Sequence, residues 1–100
     1  MHLNAEQQIQ ILFILQEALS NIRKHAFARH ADVVFDDGDD FCMTITDDGC
    51  GFDTGKNVQS GHIGLVVMRE RAEKIGAEIN IDSLLGQGTR ISLKLAADKR

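Results

Sequence analysis

The stretch Leu15-Gln16-Glu17-Ala18-Leu19-Ser20-Asn21-Ile22-Arg23-Lys24-His25-Ala26 decides how the rest of the chain is read. Wound as a helix, it sets Glu17, Asn21, Lys24 and His25 at i, i+4, i+7 and i+8, on one side. Leu12, Leu15, Leu19, Ile22 and Ala26 recur at helical spacing on the other side, a stripe expected to face a core. Phe13 and Ile14 fall beside the polar group rather than opposite it. A helix with apolar residues flanking its polar side is covered on that side too, by protein or by ligand. A carboxylate, an amide, an ammonium and an imidazole then line a sheltered site. Taken alone, this face reads as the solvated side of an ordinary amphipathic helix. The segments that follow reverse that reading.

One hundred residues suit a single domain, 1–100, with one core and no room for a second. The hydrophobic share of 43% and charged share of 26% are those of a globular chain. Five Phe with neither Trp nor Tyr, and a net charge of −4, disfavour a nucleic-acid partner, which needs stacking rings and a basic surface. A small phosphate ligand stays open, since a metal ion and a helix N-terminus neutralise it locally. Cys42 and Cys50 have neither the spacing nor the neighbours of a metal set and are expected as reduced thiols. No signal peptide and no bilayer-length apolar run is present, so the cytoplasm is the expected compartment, without membrane contact by this domain.

Along the chain, Asn4 reads as an N-cap with Gln7 as its capping-box partner, opening a helix over residues 5 to 27. Asp32 to Asp36 and Phe41 to Asp47 read as an antiparallel hairpin joined by Asp37-Gly38-Asp39-Asp40, an Asp-Gly turn compatible with type I′. Residues 54 to 60 lack periodicity and read as a mobile loop. A second helix follows Gly61-His62-Ile63-Gly64, with Leu65, Met68, Ala72 and Ile75 as its apolar face and Gly76 as its C′ residue. Residues 77 to 82 and 89 to 95 are the remaining strands, joined by a turn in which Leu84 and Leu85 fold over the core edge. The expected fold is an α/β two-layer sandwich, a mostly antiparallel mixed sheet covered by helices.

Four pieces point to one kind of ligand. Glu17 and Asn21 lie one turn apart; Mg2+ takes oxygen ligands and keeps waters, so the Asn21 amide oxygen plus substrate phosphates suffice. Lys24 offers a point charge to a phosphate, and Glu17 can hold or deprotonate a water or nucleophile. Asp47-x-Gly49-x-Gly51 puts an acid at a strand end, able to accept from an exocyclic amine, with glycines that let backbone approach a flat ring. Gly61-His62-Ile63-Gly64-Leu65 stands at a helix mouth, where free N–H groups and the dipole favour phosphate. Gly86-Gln87-Gly88-Thr89 feeds the last strand, its hydroxyl directed back at the Asp47 turn. Each piece alone has an ordinary reading as a turn or a helix start. Their co-occurrence in this order carries the weight.

In that order the chain resembles, over nearly its whole length, the ATP-binding catalytic domain of sensor histidine kinases, in the superfamily shared with gyrase, the heat-shock chaperone and mismatch-repair ATPases. Glu17-x-x-x-Asn21-x-x-Lys24-His25 resembles the N box, Asp47-x-Gly49-x-Gly51 the G1 box, and Gly64-Leu65 followed by Met68-Arg69-Glu70-Arg71 the G2 box and its helix. Gly86-x-Gly88-Thr89 is similar to the closing threonine element. The Met-Arg-Glu-Arg helix and short lid resemble the nitrate/nitrite-sensor subfamily, whose kinases pair with LuxR-type response regulators. The resemblance implies a Bergerat-type ATP-binding fold with Asp47 on the adenine amine and Asn21 on Mg2+. It also implies Glu17 as base or water-holder, Lys24 and His25 near the phosphates, and a lid from Phe52 to Ile63. Where the family reads Gly-x-Gly-Leu, His62-Ile63 separates Gly61 from Gly64-Leu65; spacing to the Met-Arg-Glu-Arg run favours Gly64 as the phosphate glycine. No phospho-acceptor helix precedes Asn4, so the chain is expected to be a fragment of a longer kinase, with little activity alone.

The expected function is to bind Mg-ATP and present its γ-phosphoryl to a histidine on a separate dimerisation domain. None of the four histidines is expected as the acceptor: His25 and His62 read as pocket and lid residues, His30 as a surface residue. The alternatives are a nucleotide-responsive module without chemistry, or a serine kinase of the anti-sigma type. The pairing of Glu17 with Asn21 favours the enzyme.

Overall fold

The computed structural model of the protein describes residues 3–23, 29–49, 63–83 and 88–97. The element order is α1 (Ala5–Asn21), β1 (Ala31–Asp37), β2 (Phe41–Asp47), α2 (Ile63–Lys74), β3 (Glu78–Ser83) and β4 (Thr89–Leu95). The strands form one sheet in the order β1-β2-β4-β3, and every pairing among them is antiparallel. The expected sandwich of helices on a mostly antiparallel sheet is therefore what the chain builds.

Strand alternation explains why one sheet face is dry. Phe41, Met43 and Ile45 of β2 stand opposite Leu95, Leu93 and Ile91 of β4, and all six are buried. Ile81 of β3 pairs with Ile91 and joins them. The intervening residues Thr44, Thr46, Ser92 and Asn80 point to the other face, which no described helix covers. Against the dry face lie Ile11, Ile14 and Ala18 of α1, and Met68, Ala72 and Ile75 around α2.

The N-terminus of α1 forms as its capping box requires. The Gln7 amide donates to Asn4 Oδ1 at 2.8 Å and the Asn4 amide to Gln7 Oε1 at 2.9 Å. At the far end of α2, Gly76 takes φ of 69°, its N–H bonding the Glu73 carbonyl and the Ala77 N–H the Ala72 carbonyl. That reciprocal pair is a Schellman motif, which ends the helix where the glycine was expected to end it.

Two local expectations are corrected. The buried stripe of α1 is Gln7, Gln10, Ile11, Ile14 and Ala18, whereas Leu12 and Leu19 are 53% and 40% exposed. Leu15 and Ile22 pack at the margin, and Ala26 lies outside the described residues. Two glutamines misled the phase, because they sit on the core side with their amides satisfied locally. Gln10 accepts from Arg71 Nη1 of α2 at 3.1 Å and donates to Glu6 at 3.0 Å. The Arg71 guanidinium also lies 4.2 Å from the Phe13 ring centre, so one side chain joins both helices. The second correction concerns the hairpin. Asp37 pairs with Phe41, so the connection is Gly38, Asp39 and Asp40, one residue longer than a type I′ loop.

Candidate functional site

The alternation that buries the core also builds the site. Two residues beyond Ile45, two before Ile91 and two beyond Ile81, the same face carries Asp47, Thr89 and Ser83. The apolar rungs thus end in a polar one, with Asp47 opposite Thr89 and Thr89 opposite Ser83. At this end of the sheet an open depression of about 300 Å³ is lined by this rung and Gly88 and also by Thr46, Arg90 and Asp82 of the neighbouring rung, which belongs to the other face.

Each member is held. Asp47 Oδ1 accepts from the Gly49 amide at 2.8 Å, an Asx turn that fixes the carboxylate. Ser83 Oγ donates to the Gly88 carbonyl at 3.1 Å and lies 2.9 Å from Thr89 Oγ1. Gly88 has φ of +85°, and a Cβ there would overlap the Asp47 carbonyl oxygen and stand 3.3 Å from Asp48 Cα. Only glycine admits so close a crossing of two chains. The last glycine motif and the Asp47 turn, about forty residues apart in sequence, are thereby pressed together.

Asp48 anchors the turn from the other side. One carboxylate oxygen accepts from both the Arg29 and His30 amides at 2.9 Å, and the Asp48 amide donates to the His30 carbonyl at 3.2 Å. The His30 N–H above all, and the Arg29 N–H with it, hold the Asp48 carboxyl below the ordinary aspartate range. Asp48 therefore fixes the chain entering β1 to the turn that bears Asp47.

The α1 pair forms a second set. Glu17 and Asn21 are both half-buried, at the edge of the stripe that carries Ile14 and Ala18. The other two residues of the expected polar side, Lys24 and His25, lie outside the described residues, and of its apolar flanks Ile14 is buried while Phe13 is 43% exposed. An amide oxygen and a carboxylate one turn apart fit a hard cation that also keeps waters and phosphate oxygens. Gly64 lies in the first turn of α2, which begins at Ile63, and Leu65 packs against the core. Lys24, His25, Gly51, Gly61 and His62 lie outside the described residues, as does most of the expected lid. His30 is exposed, as its surface reading required. Ser83 and Asp48 escaped sequence reasoning because their roles depend on strand register and on a turn-to-loop contact. A buried serine opposite a site threonine becomes visible only once β3 and β4 are aligned.

The family model described as histidine kinase-, DNA gyrase B- and HSP90-like ATPase matches residues 6–99. The chain belongs to this family. Among curated relatives, this ATPase-family domain is 37% identical over 101 residues to the sensor histidine kinase YhcY of Bacillus subtilis, covering 98% of the chain and 26% of YhcY. It is 37% identical to the nitrate/nitrite sensor protein NarQ of Escherichia coli, covering 91% of the chain and 16% of NarQ. The domain therefore spans about a quarter or less of these relatives. In fold it is similar to the Acinetobacter baumannii histidine kinase AdeS, with a TM-score of 0.76 at 15% identity, over 92% of this chain and 48% of that one.

Proposed function

We propose that this domain binds Mg-ATP and presents its γ-phosphoryl to a histidine on a separate dimerisation domain, as one part of a longer sensor kinase in two-component signalling. One observation carries the reading: the register that sets Asp47 opposite Thr89, with Gly88 on the Asp47 carbonyl, joins two distant motifs at one depression. Family membership and the names of the relatives support it. The likeness to NarQ supports, at the finer level, a kinase of the nitrate/nitrite-sensor kind, and we propose a LuxR-type response regulator as its downstream partner. No helix among the described residues is long and apolar enough to cross a membrane, in keeping with a cytoplasmic domain.

The residues divide the work. Asp47 accepts from the adenine amine through the oxygen that Gly49 leaves open. Asn21 supplies an oxygen to the metal, and Lys24 and His25 line the phosphates. Gly61, His62, Gly64 and Leu65 are assigned to the phosphates, Gly64 and Leu65 from the first turn of α2, where amides favour anionic oxygen. When bound, Mg2+ neutralises the phosphate charge that builds as the γ-phosphoryl leaves. Glu17 takes the proton released from the acceptor imidazole as the N–P bond forms and the P–O bond to ADP breaks.

Glu17→Gln tests the enzyme role. With a separately supplied phospho-acceptor domain and labelled ATP, the variant is expected to keep nucleotide affinity and lose transfer by about 10²-fold or more. Transfer at the parental rate would remove Glu17 from the chemistry and leave a nucleotide-responsive module as the better reading.

A further inference from the structure

Arg71 closes the Met68-Arg69-Glu70-Arg71 run, and the nucleotide reading above gives it no part. Its guanidinium leaves α2 and lands on α1. Nη1 donates to Gln10 Oε1 at 3.1 Å, and the Phe13 ring centre lies 4.2 Å away. Gln10 is 6% exposed, and its amide is held at both ends. Nε2 donates to Glu6 at 3.0 Å, and the oxygen is the end turned to α2. Arginine can only donate, so no other orientation of the amide satisfies both partners. Apolar contacts in the core, such as those around Ile14 and Met68, carry little direction and let packed helices slide. A buried amide oxygen facing a planar guanidinium favours one register, because any slide leaves the oxygen unpaired.

We propose that Arg71 is a positioning residue for the phosphate end of the site: bound to Gln10 and stacked on Phe13, it sets α2, with Gly64, against α1, with Glu17 and Asn21. The proposal deepens the nucleotide reading above and rests on it, since that reading puts the metal ligand on one helix and the phosphate amides on the other. Gly64 stands about two turns before Arg71, roughly 10 Å along the axis, and Gln10 about two turns before Glu17. Held on Gln10, Arg71 acts through the helices and not by touching phosphate. The base end is built separately, on the sheet, where Asp47 stands opposite Thr89. A shift of α2 against α1 therefore spoils the phosphate end and spares the base end.

The test measures dissociation constants for Mg-ATP and for adenosine, which has the base and no phosphate, by NMR titration of the parent, Arg71→Ala, Gln10→Ala and the double variant. The parent is expected to prefer Mg-ATP. Arg71→Ala and Gln10→Ala are each expected to cut that preference about tenfold, with adenosine held within about twofold of the parent. A general loosening of the domain weakens both ligands alike and leaves the ratio unchanged. The double variant is expected to be no worse than the worse single one, because both substitutions break the same contact. The proposal is overturned if Arg71→Ala keeps the parental ratio, or if the two losses multiply in the double variant. It is overturned as well if Gln10→Ala keeps the ratio that Arg71→Ala loses, since the arginine would then act on phosphate directly. Should Arg71→Ala not fold, Gln10→Ala carries the test with the same expectation, and a parental ratio there overturns the proposal. A parent that binds neither ligand overturns the underlying nucleotide reading, and the proposal falls with it.

Discussion

Gly88→Ala is expected to destabilise the domain by about 2–5 kcal/mol, from left-handed backbone strain together with overlap at a packed crossing. The φ of +85° disfavours any side chain, and the atoms in the way are the Asp47 carbonyl and Asp48 Cα, which are backbone and cannot rotate aside. Relief requires β4 to move off β2 at the rung that carries Asp47 and Thr89. Nucleotide affinity should fall along with stability. For a domain of this size, each kcal/mol lowers the melting midpoint by roughly 4–8 °C, so a fall of about 10 °C or more is expected. Gly38→Ala is the control. A Cβ there meets only Asp36 Oδ1 at 3.7 Å, an ordinary contact, so its effect should stay within about 0.5 kcal/mol. Equal melting of the two variants would mean that the close crossing does not exist.

Ile14→Ala and Leu12→Ala should separate sharply, although both remove a large aliphatic residue from the same helix. Ile14 is fully buried against the sheet, and its truncation is expected to cost about 2–5 kcal/mol, including the cavity left behind. Leu12 is 53% exposed, and its truncation should cost well under about 1 kcal/mol. Urea unfolding followed by circular dichroism measures both. The reverse ranking would restore the stripe that the leucine spacing suggests. Total stabilities of about 5–15 kcal/mol are usual, so Ile14→Ala alone removes a large share.

Strands were the most legible part of this chain. β2 and β4 alternate so regularly that Phe41, Met43, Ile45, Ile91, Leu93 and Leu95 are marked as one face before any register is known. The capping box at Asn4 and the stop at Gly76 were equally plain, because each depends on residues within one turn of helix. Helix α1 was harder. It is apolar on two sides, Ile9, Leu12, Phe13 and Leu19 standing exposed while Ile11, Ile14 and Ala18 are buried. Periodicity cannot choose between two such stripes when buried glutamines mark the true one as polar. At the site, Asp47, Gly49, Gly88 and Thr89 could be named from local motifs. Ser83 could not, because its partner is across a strand pair, nor could Asp48, whose carboxylate closes a contact to Arg29 and His30.

The most direct test of the nucleotide site is thermal unfolding in the presence of ATP, with and without Mg2+, for the parent and for Asp47→Asn. The asparagine keeps an oxygen to accept from Gly49, so the turn survives, but its amide can present donors to a ligand amine where the carboxylate presents none. Ligand at a hundredfold excess over its dissociation constant stabilises a folded domain by about 2.7 kcal/mol. The prediction is a Mg2+-dependent rise in the melting midpoint for the parent and none for Asp47→Asn. An unshifted parent, or a rise that Asp47→Asn retains in full, would contradict a nucleotide site built on the Asp47–Thr89 rung.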